Sequence, residues 1–254
     1  MQIAITRQVS RSILDCELTH LTRVPIDVER ARRQHLEYEE ALKALGVAVL
    51  SLPEEPALPD SVFVEDAALV LDECAVITRP GAASRRRETE SIARVLAPYR
   101  QLFHIEAPAR VDGGDILVLG RRIHLGLSSR SDTNAMEQVQ ALLQPWGYEV
   151  LPVMVTGCLH LKSAVTQVAP HTLLLNPAWI DRSIFPDVES IEIDPSEEYA
   201  ANALLIGETA VYPDSFPRTE ARLRAAGISL VTVPADELAK AEGAVTCCSL
   251  VFNF

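Results

Sequence analysis

The feature that most constrains this chain is a recurrence. A small polar cluster at the head of a short apolar run appears in FVEDAALVL (63 to 71), VDGGDILVL (111 to 119), HLKSAVTQV (160 to 168), YAANALLIG (199 to 207) and EGAVTCCSLVFNF (242 to 254). Counted from Asp66 through Asp112, His160, Ala201 and Cys247, the heads follow one another at 41 to 48 residues. A period in this range marks a chain built from repeated supersecondary units, each unable to bury its apolar face alone.

What surrounds each head recurs as well. A strand ending near Pro or Asp precedes it, in VAVLSLP, LFHIEAP, YEVLPV, SIEIDP and ISLVTVP, with a helix-like segment before that strand. A second strand follows, in CAVITRP, RIHLGLS, TLLLNP and TAVYP. The fifth copy reaches the C-terminus without its second strand, and the N-terminal MQIAITRQ has the pattern to supply it. The expected fold is therefore α/β: a closed, pseudo-symmetric ring of five units forming one domain over residues 1–254. Closure gives every unit a neighbour. It also brings the polar heads together near the axis, so that residues far apart in sequence form one site.

Composition narrows the function classes. With 48% hydrophobic and 23% charged residues, the chain has an ordinary globular composition. No apolar run approaches the roughly 20 residues of a membrane span, and the N-terminus lacks the basic and apolar regions of a secretory signal. Five cysteines without CxxC spacing are expected as reduced thiols in a cytoplasmic protein. A net charge of -12 disfavours nucleic-acid and anionic-membrane partners and is compatible with a cationic small substrate. A homodimer is left open.

Several segments carry chemistry. The stretch from Gln8 to Pro25, which includes Leu18, has little periodicity and reads as a lid or binding loop, or equally as a plain surface connection. Residues 26 to 45 read as an amphipathic helix with Asp27 as N-cap and Gly46 ending it. PDSVFVED supplies Asp60, Glu65 and Asp66, which are either a solvated rim or a buried cluster needing a cation. Arg85 heads a basic triplet, and Arg130 holds a similar place in the next unit. Either side chain can turn inward to bind a carboxylate with its planar fork. The paired glycines of VDGGD mark a turn or a close approach by another group.

His160 and the adjacent Cys247 and Cys248 complete the set. A structural histidine and two buried thiols are the plainer reading, and a zinc site at Cys158 and His160 lacks further ligands. If TCCSL is a strand, only one of the two cysteines faces the axis. The ring phase places Cys247 opposite His160 and Asp112. A thiolate nucleophile needs an acid for its leaving group, and a histidine oriented by a carboxylate provides it. The surplus acids argue against a peptide carbonyl and for a planar guanidinium, whose N–H groups match carboxylates.

In order and spacing, PDSVFVED, ITRPGAASRR, VDGGD, GLSSR, HLK, YAAN and EGAVTCCS resemble the dimethylarginine dimethylaminohydrolase family of the guanidino-group-modifying, or pentein, superfamily. The likeness runs from Ile3 to Phe252. It implies a five-bladed α/β propeller that hydrolyses methylated arginines to citrulline and the methylated amine. Cys247 would attack the guanidinium carbon, His160 would protonate the departing amine, and Asp112 would orient His160. Asp66 with the neighbouring Glu65 and Asp60 would hold the guanidinium, Arg85 and Arg130 would bind the α-carboxylate, and the segment around Leu18 would be the lid. The implied chemistry uses no metal and no organic cofactor. Two departures stand out: Asp112 replaces the Glu of some members, and SDTN after Arg130 is two residues longer than the family's ArgThrAsn. The alternatives are a related hydrolase or deiminase acting on arginine or another guanidino or ureido compound, and a non-catalytic propeller serving as a binding module.

Overall fold

The computed structural model describes residues 1–254 and contains five three-stranded sheets arranged as one repeated pattern. The chain begins with β1 (Gln2–Arg7), α1 (Val28–Ala44) and β2 (Ala48–Leu52). The first complete unit holds β3 (Ala68–Val70), β4 (Cys74–Ile77), α2 (Glu88–Leu96) and β5 (Gln101–His104), and the second β6 (Ile116–Leu119), β7 (Arg122–Leu127), α3 (Thr133–Leu143) and β8 (Glu149–Met154). The third opens with the single turn α4 (Leu161–Ala164) and holds β9 (Val165–Ala169), β10 (Thr172–Leu175) and β11 (Glu189–Glu192). The fourth holds β12 (Leu204–Ile206), β13 (Thr209–Pro213), α5 (Pro217–Ala225) and β14 (Ser229–Val233), and after the short α6 (Asp236–Ala239) comes β15 (Leu250–Asn253).

Within every sheet the middle strand runs antiparallel to the strand before it and parallel to the strand after it. A hairpin makes the first pairing and a crossover the second, because parallel neighbours need a long connection. The fifth sheet obeys the same rule across the chain ends: β1 pairs antiparallel with β15 and parallel with β2. The N-terminal strand thus closes the ring, as the repeat pattern predicts.

Helices form where the sequence supplies caps. Asp27 accepts a hydrogen bond from the Arg30 amide at 3.0 Å and starts α1, while Gly46, at φ +84°, turns the chain after it. The expectation of a helix in every crossover fails in the third unit. Between β10 and β11 only Arg182–Ile184 makes a short 3-10 turn, in a segment interrupted by Pro177 and Pro186. Proline blocks the run of amide donors that a longer helix requires.

The apolar core is divided among the joints of the ring. Ile3, Ile5 and Leu52 pack with Ile77, Ile92 and Leu96, and Leu69 and Val76 pack with Ile116 and Ile123. Leu117 and Val153 meet Leu173, Val168 and Leu174 meet Ala210 and Tyr212, and Val211 and Val233 meet Ala4, Tyr38 and Leu42. Because apolar burial is satisfied between units, the axis is free to hold polar heads. No helix is long and apolar enough to cross a membrane.

Candidate active site

The heads differ from the expected strand beginnings. Val64–Ala67, Gly113–Asp115, Leu161–Ala164 and Thr246–Cys248 each make a single helical turn, and Asp112 and His160 occupy the position just before their turns. The division between Cys247 and Cys248 survives with a different cause. In a helical turn neighbouring side chains diverge by about a third of a rotation. Cys248 is buried with Tyr38 and Val245, whereas Cys247 is half-buried at the edge of the same cluster, beside Glu65 and Asp66.

His160 and Asp112 meet inside the ring. His160 Nε2 lies 3.0 Å from Asp112 Oδ2, and both residues are buried. Asp112 is held from the other side by the Gly81 amide, which donates to Oδ1 at 2.8 Å. Neither glycine of the VDGGD motif has a positive φ, so backbone freedom does not explain them. Close approach does: a Cβ on Gly113 would stand 2.0 Å from the Glu65 carbonyl oxygen, and one on Gly114 would stand 2.6 Å from His160 Nδ1. Burial by itself lowers the basicity of His160. The charge of Asp66, the bond to Asp112 and the charge of Asp115 reverse that effect and push the group up to about 9. The imidazole is therefore a cation at neutral pH.

Asp66 is the second charged centre. Burial would raise its carboxyl, but the charges of His160 and Arg85, with the Gly114 amide donating to Oδ1 at 2.9 Å, hold it well below the usual carboxylate range. Arg85 Nη1 donates to Asp66 Oδ2 at 2.7 Å. The same guanidinium donates through Nε and Nη2 to Glu88, and Nη2 also reaches the Asp60 and Phe63 carbonyls. The fork that the sequence reading offers to a ligand carboxylate here meets the carboxylates of Asp66 and Glu88. At 3% exposure it is occupied by Asp66 and Glu88 and sets the charge of the site from behind.

Arg130 has a different environment. Its Nη2 donates to Thr19 Oγ1 at 3.0 Å, and its Nη1 lies 3.6 Å from Asp112 Oδ2 and is buried with no hydrogen-bond partner. A buried guanidinium nitrogen without an acceptor is costly unless a ligand supplies one. The two extra residues after Arg130 are absorbed in the fold. The Ser131 hydroxyl donates to Asp115 and accepts from the Asp112 amide, and Asp132 caps α3 through the Ala135 amide at 3.0 Å.

Glu65 lies beneath Cys247. Its carboxylate accepts from Lys162 Nζ at 2.6 Å and from the Thr246 hydroxyl at 2.9 Å. Burial first, and then the charges of Glu65 and Asp66, push the Cys247 thiol well above its ordinary range. No hydrogen bond joins this thiol to His160. The resting site therefore combines a neutral thiol with a charged imidazole.

The segment expected as a lid is tied down over this site. The Glu17 amide donates to both Asp60 oxygens, at 3.3 and 3.0 Å, so Asp60 anchors the segment from below. Leu18 is half-buried against the neighbouring apolar cluster. The amides of Thr19, His20 and Leu21 all donate to the Glu242 carboxylate, whose residue adopts φ +58°.

The structure thus gathers Asp112, His160, Asp66, Glu65 and Cys247 and sets Asp60 and Leu18 at the segment around Glu17. Sequence reasoning missed Lys162, Thr246 and Glu242, whose roles depend on contacts across the ring. Asp115 was legible only as the unexplained second acid of VDGGD. It is fully buried and holds Ser128, Ser131 and the Leu161 amide at 2.6, 2.6 and 2.8 Å. Asp66, Asp112 and His160 also bring one potential metal-ligand atom each within 4.8 Å of one another. Those atoms are already engaged with one another's protons, with Arg85 and with the amides of Gly81 and Gly114.

Residues 21–185 match the family described as N,N dimethylarginine dimethylhydrolase, eukaryotic. The chain is 36% identical over 251 residues to the N(G),N(G)-dimethylarginine dimethylaminohydrolase of Pseudomonas aeruginosa, covering 98% of each protein. A solved structure of the P. aeruginosa enzyme, a cysteine-to-serine mutant complexed with citrulline, superposes with a TM-score of 0.92 at 34% identity over 98% of both chains. A dimethylarginine dimethylaminohydrolase variant with histidine replaced by glycine, as its adduct with S-methyl-L-thiocitrulline, gives a TM-score of 0.94 at 35% identity, over 98% of this chain and 99% of the other.

Proposed function

The chain belongs to the dimethylarginine dimethylaminohydrolase family, and from that membership we propose that it hydrolyses Nω-methylated arginines to citrulline and methylamine or dimethylamine, with Cys247 as nucleophile. The whole chain, 1–254, acts as one catalytic propeller of the pentein fold. Five unpaired cysteines suit a reducing compartment, and we place the enzyme in the cytoplasm.

One observation carries the reading: the acids Glu65 and Asp66 stand beside the Cys247 turn, Glu65 bonded to Thr246 at 2.9 Å, and burial first and then their charges hold the thiol neutral. A cationic guanidinium entering beside these acids cancels their field and lets the thiol ionise, so the nucleophile is generated when a substrate of the right charge is present. A neutral carbonyl brings no such compensation. Although Asp66 already accepts from Arg85 and Gly114, a carboxylate oxygen has a second lone pair, so it retains capacity for a substrate N–H. Arg130 Nη1, buried without an acceptor, is the group suited to the substrate's α-carboxylate. Asp60 and Leu18 act through the lid.

In the first half-reaction the Cys247 proton is lost to solvent as the guanidinium binds, and the sulfur forms a bond to the guanidinium carbon. His160, already a cation, donates its proton to the methylated nitrogen as the C–N bond breaks, and the amine departs. A thiouronium remains on Cys247. Neutral His160, still bonded to Asp112, then takes one proton from water as oxygen attacks the same carbon, and collapse breaks the C–S bond while the second proton passes to the departing sulfur, restoring the thiol and releasing the ureido product.

Acid-quenched mass spectrometry during turnover of monomethylarginine should find the covalent adduct on the peptide carrying Cys247. In His160→Gly, which lacks the proton donor and acceptor, monomethylarginine should give no adduct, whereas S-methyl-L-thiocitrulline, whose methanethiolate departs without a proton donor, should form one that accumulates. Sustained turnover with Cys247 changed to Ser would sink the covalent route.

A further inference from the structure

We infer that Asn202, which follows Ala201 at the head of the fourth unit, is a positioning residue that locks the Cys247 turn to the His160 turn. The inference rests on the catalytic roles proposed above, because it concerns how those two residues are held.

Asn202 is 4% exposed and immediately precedes the approach to β12. Its side-chain amide spans two neighbouring units. Nδ2 donates to the Lys162 carbonyl at 3.0 Å, two residues beyond His160 within α4. The same nitrogen donates to Thr246 Oγ1 at 2.9 Å, and Oδ1 accepts from the Thr246 amide at 3.1 Å. Thr246 opens the turn Thr246–Cys248 and directly precedes Cys247. Asn202 is the one side chain hydrogen-bonded to main-chain groups of both turns.

The chemistry requires this amide in particular. The Lys162 carbonyl accepts, the Thr246 amide donates, and the Thr246 hydroxyl must keep its own proton for Glu65 Oε2, 2.9 Å away. A group that donates twice and accepts once is therefore needed in a single plane, and a primary amide supplies both. An aspartate would turn an acceptor towards the Lys162 carbonyl and the Thr246 oxygen. Glu65 also links the two turns, but it does so through the Lys162 ammonium and the Thr246 hydroxyl, which rotate freely at their ends. The short Asn side chain fixes the backbone itself. A displaced nucleophile or proton donor slows the chemical step without weakening substrate contacts made elsewhere.

The test compares wild type, Asn202→Ala, Asn202→Asp and Thr246→Ser in steady-state and single-turnover assays with dimethylarginine, with thermal unfolding measured alongside. Asn202→Ala and Asn202→Asp should lower kcat and the single-turnover rate by about 100-fold while KM stays within about twofold. Thr246→Ser, which keeps the hydroxyl that accepts from Asn202, should lose less of kcat than either Asn202 variant. If Asn202→Ala proves unfolded, Asn202→Ser is used in its place with the same expectation. A folded Asn202 variant with wild-type kcat, or one whose loss lies in KM, would overturn the inference while leaving the catalytic reading intact. Absence of turnover by the wild type would overturn both.

Discussion

His160 Nε2 stands 3.0 Å from Asp112 Oδ2, and Asp112 is fully enclosed. This contact, together with the charges of Asp66 and Asp115, keeps the imidazole protonated up to about pH 9. The proton-donating form is thus present below that pH and lost above it, which gives kcat a falling limb on the alkaline side. Asp112→Asn removes one of the charges that raise the group. The limb should move towards the ordinary histidine range near about 6.5, with kcat at pH 8 lower by up to about 30-fold. A pH–rate profile unchanged in shape would count against Asp112 as the orienting residue.

Arg85 and Arg130 should separate cleanly. Arg85→Ala strands the buried carboxylates of Asp66 and Glu88, each bonded to it at 2.7 to 2.8 Å. The expected loss is about 3–5 kcal/mol of stability in chemical denaturation, because an unpaired buried charge is left behind. Arg130→Ala should fold and raise KM for methylarginines by about 10- to 100-fold, with little effect on a methylated guanidine lacking the α-carboxylate. Equal KM effects on both substrates would remove Arg130 from carboxylate binding.

Gly114 tests the packing behind the imidazole. Its φ is not positive, so alanine meets no backbone penalty, yet the added methyl would fall 2.6 Å from His160 Nδ1 and 3.0 Å from Asp66 Oδ1. Displacing the ring should cost about 100-fold in kcat in a protein that still folds by circular dichroism. Normal kcat in Gly114→Ala would mean that the ring's position tolerates movement.

The two adjacent cysteines should behave differently. Cys248 is 5% exposed and packed against Tyr38 and Val245, so Cys248→Ala should retain turnover at a cost of about 1 kcal/mol in stability. A thiol-directed amidine should modify one equivalent of Cys247 in that variant and none in Cys247→Ser. Labelling that follows Cys248 instead would reverse the assignment.

The ring was readable because closure demands repetition: each apolar run must face its neighbour, and the N-terminal strand has a partner only in the fifth unit. Asp112, His160 and Cys247 stood out because repeat phase brings them to one axis. What stayed hidden depends on bonds between units. Nothing local tells Arg85 to spend its guanidinium on Asp66 and Glu88, or Glu242 to collect the amides of Thr19, His20 and Leu21. The helical form of the TCC turn was masked by a sequence that alternates like a strand. In VDGGD the glycines were ambiguous until the backbone angles and the nearness of Glu65 and His160 were visible together.

The central claim is tested most directly by measuring citrulline and amine release from dimethylarginine, monomethylarginine, arginine and agmatine with wild type and Cys247→Ser side by side. The account predicts turnover of the two methylated arginines, little or none of arginine and agmatine, and none of any substrate by Cys247→Ser. Preferential turnover of arginine would contradict the substrate assignment, and undiminished activity in Cys247→Ser would contradict the mechanism.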